Sequence, residues 1–330
     1  MWKWMYKKGS NSFESMDDLP KSIRTSLSEN FTIHRGNIVD STKSKSDQTV
    51  KFLIELEDKK QIEAVYIKHD QWGTLCVSSQ VGCSLNCRFC KTGTQPISRN
   101  LTSGEIVSQL LIAQAEFNDF RQENKKPKIN NIVFMGQGEP LYNYKNIKDA
   151  IQIMTSEEGC EISKRKITLS TSGVIPVMKK AIKDLGVNLA VSLHATTNEM
   201  RDYLVPLNKI FPIELLMDTI RAMAEDDLRH VTFEYVMLNN VNDSIQDAER
   251  LVALLKNLQC SVNLIAFNEW DGSGFTCTPV KKIQEFSQYL YNNNINAPVR
   301  YSHGSDIDAA CGQLKTSFEQ KKQFIERTTS

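Results

Sequence analysis

Residues 74–91 read TLCVSSQVGCSLNCRFCK. A strand-like run at 74–79 leads directly into Cys83, Cys87 and Cys90, spaced C-x3-C-x2-C. A structural zinc site wants four ligands, usually as two paired half-sites. Here the nearest other thiol is Cys76, on the preceding strand, and there is no second pair. Iron–sulfur clusters are bound by thiolates, normally four. Three thiolates on a four-iron cluster leave one iron open, where an external ligand can bind. The chain has eight cysteines in 330 residues, the others at 160, 260, 277 and 311. The opening MWKWMYKK lacks the apolar run of a signal peptide. A reducing, cytoplasmic setting and a metal-binding or catalytic role for the triplet are therefore expected, rather than a disulfide scaffold.

Outward from this stretch, short β-branched runs recur at 131–135, 166–170, 188–193, 231–237, 261–267 and 298–301. Helix-period stretches separate them at 103–118, 145–156, 175–185, 212–225, 244–258, 279–293 and 307–327. Strand–helix alternation of this length predicts an α/β fold with a parallel sheet covered by helices. Upstream, 50–56 and 62–67 predict a β-hairpin, 41–47 a polar linker, and 1–40 a mostly helical lead-in with Trp2, Trp4, Leu19, Ile23 and Leu27 as its apolar positions. The expected division is an accessory region at 1–68 and a catalytic core at 69–330 with a C-terminal extension. The net charge of +1 lends no support to nucleic-acid binding, and no apolar stretch approaches the roughly 20 residues that span a membrane.

Polar residues cluster just after the predicted strands. Cys83, Cys87 and Cys90 follow the first, Gly136, Gly138 and Glu139 the second; Ser170, Ser192 and His194 close later ones, and Asn268 follows the sixth. An α/β barrel carries its active site at the carboxyl ends of its strands, so this placement favours a partial (β/α) barrel over an open doubly wound sheet.

Several blocks, in order, carry a resemblance: TLCVSSQVGCSLNCRFCKTG, RNLTSGEI, MGQGEPL, SKRKITLSTSG, SLHA, EYVMLNNVND and DIDAACGQL. The triplet with Phe89 before its last cysteine resembles the radical S-adenosylmethionine (SAM) signature. The whole set is similar to the RlmN branch of the RlmN/Cfr family of radical SAM RNA adenine methyltransferases. That resemblance implies one [4Fe–4S] cluster on Cys83, Cys87 and Cys90, two SAM molecules per turnover, and methylation of adenine C2 in 23S rRNA and beside the anticodon of tRNA. Adenine C2 is electron-poor and cannot attack a sulfonium directly; in the family a cysteine is methylated first. By motif the methyl carrier is Cys311 and the resolving thiol, through a transient Cys76–Cys311 disulfide, is Cys76. Taken alone, Cys311 reads as a small packed residue and Cys76 as a core strand residue. Both need thiolate character, and a free thiol of pKa about 8.5 is only slightly ionised at pH 7.

The resemblance further places the proton acceptor on Glu63, which in an extended strand shares a face with Val65 and Ile67; burial there raises a carboxylate pKa. It assigns SAM contacts to Gly138, Glu139, Ser170, Ser192, Leu193, His194 and Asn268, and it implies RNA and a reductase electron donor such as flavodoxin as partners. Arg88, Lys91 and Arg99, together with Lys164, Arg165 and Lys166, are candidate phosphate contacts near the site entrance; Lys125, Lys126 and Lys128 form a further basic loop. Three positions depart from the family pattern: a short N-terminal lead-in, Gln137 where Met is usual, and His303 in place of an Arg. The rival readings are a C8-specific enzyme of the same family, a non-catalytic RNA-binding protein with a structural metal, and a radical enzyme acting on protein or metabolite.

Overall fold

The computed structural model describes residues 1–120, 126–226, 228 and 230–315. Helices α1 (Trp2–Tyr6) and α2 (Lys21–Asn30) precede three antiparallel strands, β1 (Asn37–Lys43), β2 (Val50–Glu55) and β3 (Gln61–Lys68). Then come β4 (Gly73–Cys76), the small β5 (Gln80–Val81) and β6 (Arg99–Asn100) pair, α3 (Ser103–Glu116), β7 (Ile129–Phe134), α4 (Tyr144–Thr155), β8 (Ile167–Thr171) and α5 (Ile175–Leu185). The chain continues through β9 (Asn188–Ser192), α6 (Asn198–Leu204), α7 (Ile213–Asp226), β10 (Val231–Met237), α8 (Ile245–Leu255), β11 (Cys260–Ala266), α9 (Val280–Asn292) and β12 (Val299–Arg300).

Local signals set these boundaries. Thr102 and Glu105 close a reciprocal capping box on α3, and Ser244 and Asp247 do the same for α8. Pro176 sits in the first turn of α5, and Gly186 ends that helix at φ +62°, where an L side chain is disfavoured. The strands β7 to β11 carry residues such as Ile132, Leu169, Val191, Phe233 and Leu264, all buried, because helices cover the sheet.

One ten-stranded sheet runs β1-β2-β3-β4-β7-β8-β9-β10-β11-β12. From β4 onward every pairing is parallel. Pairing of β3 with β4 carries the sheet unbroken across residues 68 and 69. Flat, ten strands at about 4.8 Å spacing would span roughly 43 Å. Yet Gly304 N–H, four residues past β12, donates to Asp47 Oδ2 at 2.8 Å, between β1 and β2, and Lys45 N–H donates to Asp306 at 3.1 Å. The sheet therefore curls into a partial barrel whose edges β1 and β12 do not pair among the described residues, and residues 303–308 bridge the gap.

Three expectations need correction. The segment 41–47 is not simply a linker: β1 runs through Lys43, since even a polar, exposed edge strand gains a ladder from β2, here with a bulge between Ile38 and Asp40. In the lead-in, Phe13 and Met16 are the buried apolar residues, whereas Trp2 and Ile23 are exposed, because α1 and α2 are too short and separate to form one amphipathic face. The helix expected from 307 is absent over 308–315, where Asp308 and Gly312 take positive φ; residues 316–327 lie outside the described residues. Helix α6 has no counterpart among the expected elements.

Candidate active site

The loop after β4 carries Cys83, Cys87 and Cys90, none in a disulfide. It winds tightly: a Cβ on Gly93 would lie 2.8 Å from the Cys87 carbonyl oxygen. Burial pushes the Cys83 thiol up to about 11 and raises Cys87 and Cys90, with mutual repulsion adding to the shift for the first two; the Arg201 guanidinium opposes it at Cys87. Three adjacent thiols that resist ionisation together are a poor resting state and a good donor set for a cationic iron cluster, which deprotonates its ligands on binding. Among the described residues no three His, Cys, Asp or Glu side chains converge on a single ion. A cluster spreads its irons over several corners and does not need such a point. The donor set fits a cluster.

Cys76 ends β4, opposite Val65 on β3 and Val133 on β7. It packs with Val65, Ile67, Ala309 and Leu314, so the C-terminal segment lies over it. That segment is pinned to the cluster loop: Lys91 N–H donates to Gly312 O at 2.7 Å, and Lys91 Nζ pairs with Asp308 at 3.1 Å. Asn268 Nδ2 donates to the Cys311 carbonyl at 3.2 Å. Cys311 is solvent-exposed as a residue, yet protein atoms crowd its sulfur. That crowding, with Cys76, Glu234 and Cys90 beside it, raises its thiol, and burial likewise pushes Cys76 up to about 12. Its sulfur thus lies in a pit that opens to solvent rather than in a sealed core.

Glu63 is 3% exposed. One carboxylate oxygen is 3.4 Å from Lys51 Nζ, which also donates to Asp308 O at 3.2 Å; the other is buried and makes no well-formed hydrogen bond among the described residues, though the Lys315 amide lies close. Burial raises its pKa against the pull of Lys51, the Lys315 amide and Lys91. Where β4 diverges, side chains replace the ladder: Ser78 Oγ donates to Glu63 O at 2.6 Å, and Glu63 N–H donates to Gln137 Oε1 at 3.2 Å. Fully buried Gln137 also donates to Gln95 Oε1 at 3.1 Å, tying β3 to the loop that follows the cysteines.

Gly138 sits at φ +96°, and its hydrogen leaves room for Gln80, which a Cβ would approach to 2.5 Å. Glu139 is buried, and its two oxygens accept from Leu141 N–H at 3.0 Å and Ser172 N–H at 2.9 Å. Burial pushes it up to about 6 against those bonds. With the Thr171 hydroxyl as a third donor beside it, the carboxylate still keeps lone-pair capacity for an ammonium. His194, at φ +58°, accepts from Val236 N–H on Nδ1 at 3.1 Å, and its ring meets Phe89 edge-on at 4.6 Å. Burial, with Arg201 adding to it, lowers its pKa to about 3, so it is neutral and its Nδ1 is not free to ligate iron. Ser170 is buried at the end of β8, and Ser192 ends β9.

The basic candidates divide. Lys164, Arg165 and Lys166 form a turn just before β8, at the amino end of a parallel strand and thus opposite the cysteine loop; the expectation of an entrance role is corrected by the strand direction. Lys126 and Lys128 precede β7 at that same far end, and Lys125 lies outside the described residues. Arg99 is held by Asp58 and by both oxygens of Glu105 at 2.8 Å, so its guanidinium is already occupied. Lys91 serves the C-terminal segment. Arg88 remains, stacked 4.4 Å over the Tyr203 ring.

The radical SAM superfamily profile matches residues 77–253, and that of the ribosomal RNA large subunit methyltransferase N-terminal domain matches residues 1–33. A Bradyrhizobium sp. (strain BTAi1) protein named dual-specificity RNA methyltransferase RlmN is 47% identical over 97% of this chain and 82% of its own length. The chain belongs to the RlmN family. Another RlmN, from Rhodopseudomonas palustris (strain BisB5), is 46% identical over 97% of this chain and 83% of its own. A radical SAM methyltransferase from Sphaerobacter thermophilus superposes with a TM-score of 0.90 at 39% identity, covering 95% of this chain and 91% of that one. Streptococcus suis SuiB bound to S-adenosylmethionine, at TM-score 0.51 and 15% identity, shares the fold over 69% of this chain and 50% of its own. Members of the radical SAM superfamily bind a [4Fe–4S] cluster and SAM, and so does this RlmN family member.

Two residues of this RlmN family member escaped notice in the sequence. Arg201 is fully buried, donating to the carbonyls of Leu193 (3.1 Å), Ser172 (2.8 Å) and Ser192 (3.1 Å) and to Asn208 Oδ1 (3.0 Å). Glu234 is in register with Ser192 on β9 and Asn263 on β11, and accepts from Asn263 Nδ2 at 2.9 Å. Burial pushes it up to about 7, with Asn263 and Arg300 opposing. The only signal for Glu234 was a carboxylate inside a β-branched run; Arg201 had none, since an Arg in a polar helix reads as solvated.

Proposed function

We propose that this chain methylates C2 of adenine in 23S rRNA and in tRNA beside the anticodon. The observation that supports this is the meeting, at one end of the barrel, of three thiols on one loop, the Cys76 strand end, buried Glu63 and the Cys311 segment. A [4Fe–4S] cluster on Cys83, Cys87 and Cys90, with SAM, supplies reductive sulfonium cleavage and hydrogen abstraction. Cys311 carries the methyl group toward the base. Glu63, with a buried oxygen that is unpaired among the described residues, accepts the proton from adenine C2. The Cys76 thiolate then attacks the Cys311 sulfur; the electron pair of the broken sulfur–carbon bond goes to the methylene carbon, which takes up a proton to become the methyl group, and the disulfide left behind is reduced by an external thiol. Gly138, Glu139, Ser170, Ser192, Leu193, His194 and Asn268 hold SAM. Residues 1–68 act as an accessory region and 69–330 as the catalytic core, in the cytoplasm, with a flavodoxin-type reductase as electron donor. Among the described residues no helix is long and apolar enough to cross a membrane.

The test is RNA methylation by anaerobically purified protein, with mass spectrometry of digested rRNA and tRNA. Wild type is expected to form 2-methyladenosine and Cys311→Ala none. Formation of 8-methyladenosine would overturn the regiochemistry, and methylation surviving in Cys311→Ala would overturn the cysteine route.

A further inference from the structure

A cleft of about 310 Å³ opens beside the cysteine loop, walled by Arg88, Tyr203, Trp270 and Phe275, with Cys87 also on its lining. Its size lies at the small end of the range for small-molecule sites, roughly 300–1,000 Å³. The walls come from the loop after β4, from α6 after β9 and from the loop after β11, so the cleft lies at the carboxyl ends of the strands. It also shares a support with the Cys311 segment. Trp270 Nε1 donates to the Phe89 carbonyl at 3.0 Å, and a Cβ on Gly312 would sit 3.9 Å from that same oxygen.

The lining is an unusual mixture for an empty surface groove. Tyr203 is 45% exposed and offers a ring already faced by the Arg88 guanidinium. Phe275 stands edge-on to Tyr203 at 6.2 Å and to Phe267 at 6.3 Å, which fixes its orientation. Aromatic faces and a planar cation are what an unstacked nucleobase needs: both rings and guanidinium planes stack on any base, and the charge attracts the adjoining phosphate. A base modified inside a barrel must leave its stack, which exposes its neighbours as well.

We propose that this cleft takes a nucleobase of the RNA substrate flanking the modified adenine. The assignment rests on the RNA-methylating reading above and adds the place where the strand is gripped. Arg88, Tyr203, Trp270 and Phe275 wall the slot, and the grip sets the target adenine over the Cys311 pit.

The test uses the reconstituted holoenzyme and an anticodon stem-loop RNA carrying 5-iodouridine at positions flanking the target adenine. Irradiation is expected to crosslink the RNA to Tyr203, Trp270 or Phe275, read by peptide mass spectrometry. Tyr203→Ala should raise the KM for RNA roughly 5- to 150-fold, the loss expected of one stacked base, with a smaller effect on kcat, and Tyr203→Phe should restore it. Crosslinks confined to other segments, with an unchanged KM, would overturn the cleft while leaving methylation standing. An unchanged RNA KM with slowed reduction by flavodoxin would assign the cleft to the electron donor and overturn the proposal. Failure of the wild type to methylate or crosslink any RNA would overturn the cleft and the functional reading together.

Discussion

At the scale of single residues, what matters is which thiols and rings stay neutral and what that does. Cys76 and Cys311 both sit among protein atoms that raise their thiols. If Cys76 resolves a link between Cys311 and RNA, Cys76→Ala is expected to accumulate a covalent protein–RNA adduct that vanishes in the Cys76→Ala/Cys311→Ala double variant, visible as a retarded band on denaturing gels. His194 shows the opposite sign of effect. Its folded pKa of about 3 lies below the ordinary histidine value, so between about pH 6.5 and 3 the unfolded chain takes up a proton that the native chain refuses. Stability from this group is complete above about pH 6.5 and falls with acidification, at up to about 1.4 kcal/mol per pH unit. His194→Gln is expected to flatten the wild-type decline in urea midpoint between pH 6 and 4; an identical slope would show the ring titrating normally.

At the scale of elements, the parallel strands set a fixed end for chemistry, and α6 supplies the group that holds it. Arg201 donates to three carbonyls at or just beyond the ends of β8 and β9, so the loops credited with SAM contacts hang on one buried guanidinium beside Cys87. Each orphaned acceptor costs about 1–3 kcal/mol. Arg201→Met is therefore expected to lose several kcal/mol by denaturant unfolding and to hold well below the wild-type iron after anaerobic reconstitution; full iron retention would separate the helix from the cluster loop. Gln137 works similarly between β3 and the cysteine loop. Its amide oxygen satisfies the Glu63 N–H, at a point where, among the described residues, the pairing of β3 with β4 has ended.

At the scale of the whole molecule, the N-terminal strands and the C-terminal segment meet across the gap in the barrel. Asp47 accepts from Thr49 N–H at 3.0 Å and Gly304 N–H at 2.8 Å, and lies 3.3 Å from His303 Nδ1. Burial pushes its carboxyl up, but those backbone donors win and hold it at about 2. The position where the family usually has Arg thus still faces a carboxylate. Asp47→Ala is expected to loosen residues 303–308 and speed iodoacetamide alkylation of Cys311, measured by mass spectrometry, while iron content stays at the wild-type level. Equal alkylation rates would mean that the cluster loop alone holds the segment.

Much of this could be read without coordinates, for a local reason. The spacing of Cys83, Cys87 and Cys90, the capping pairs at α3 and α8, and the alternation of apolar runs are all properties of residues a few positions apart, and helix and strand periods translate them directly into structure. The course of 308–315 is set by contacts with Lys91, Thr92 and Lys51, more than 200 residues away, so the helical period there was overridden. Strand direction, invisible in composition, moved Lys164–Lys166 to the far end of the barrel. Tertiary packing alone buried Arg201 and Glu234 and brought Trp270, Tyr203 and Arg88 around one cleft, because only the curl of the sheet decides which loops share an end.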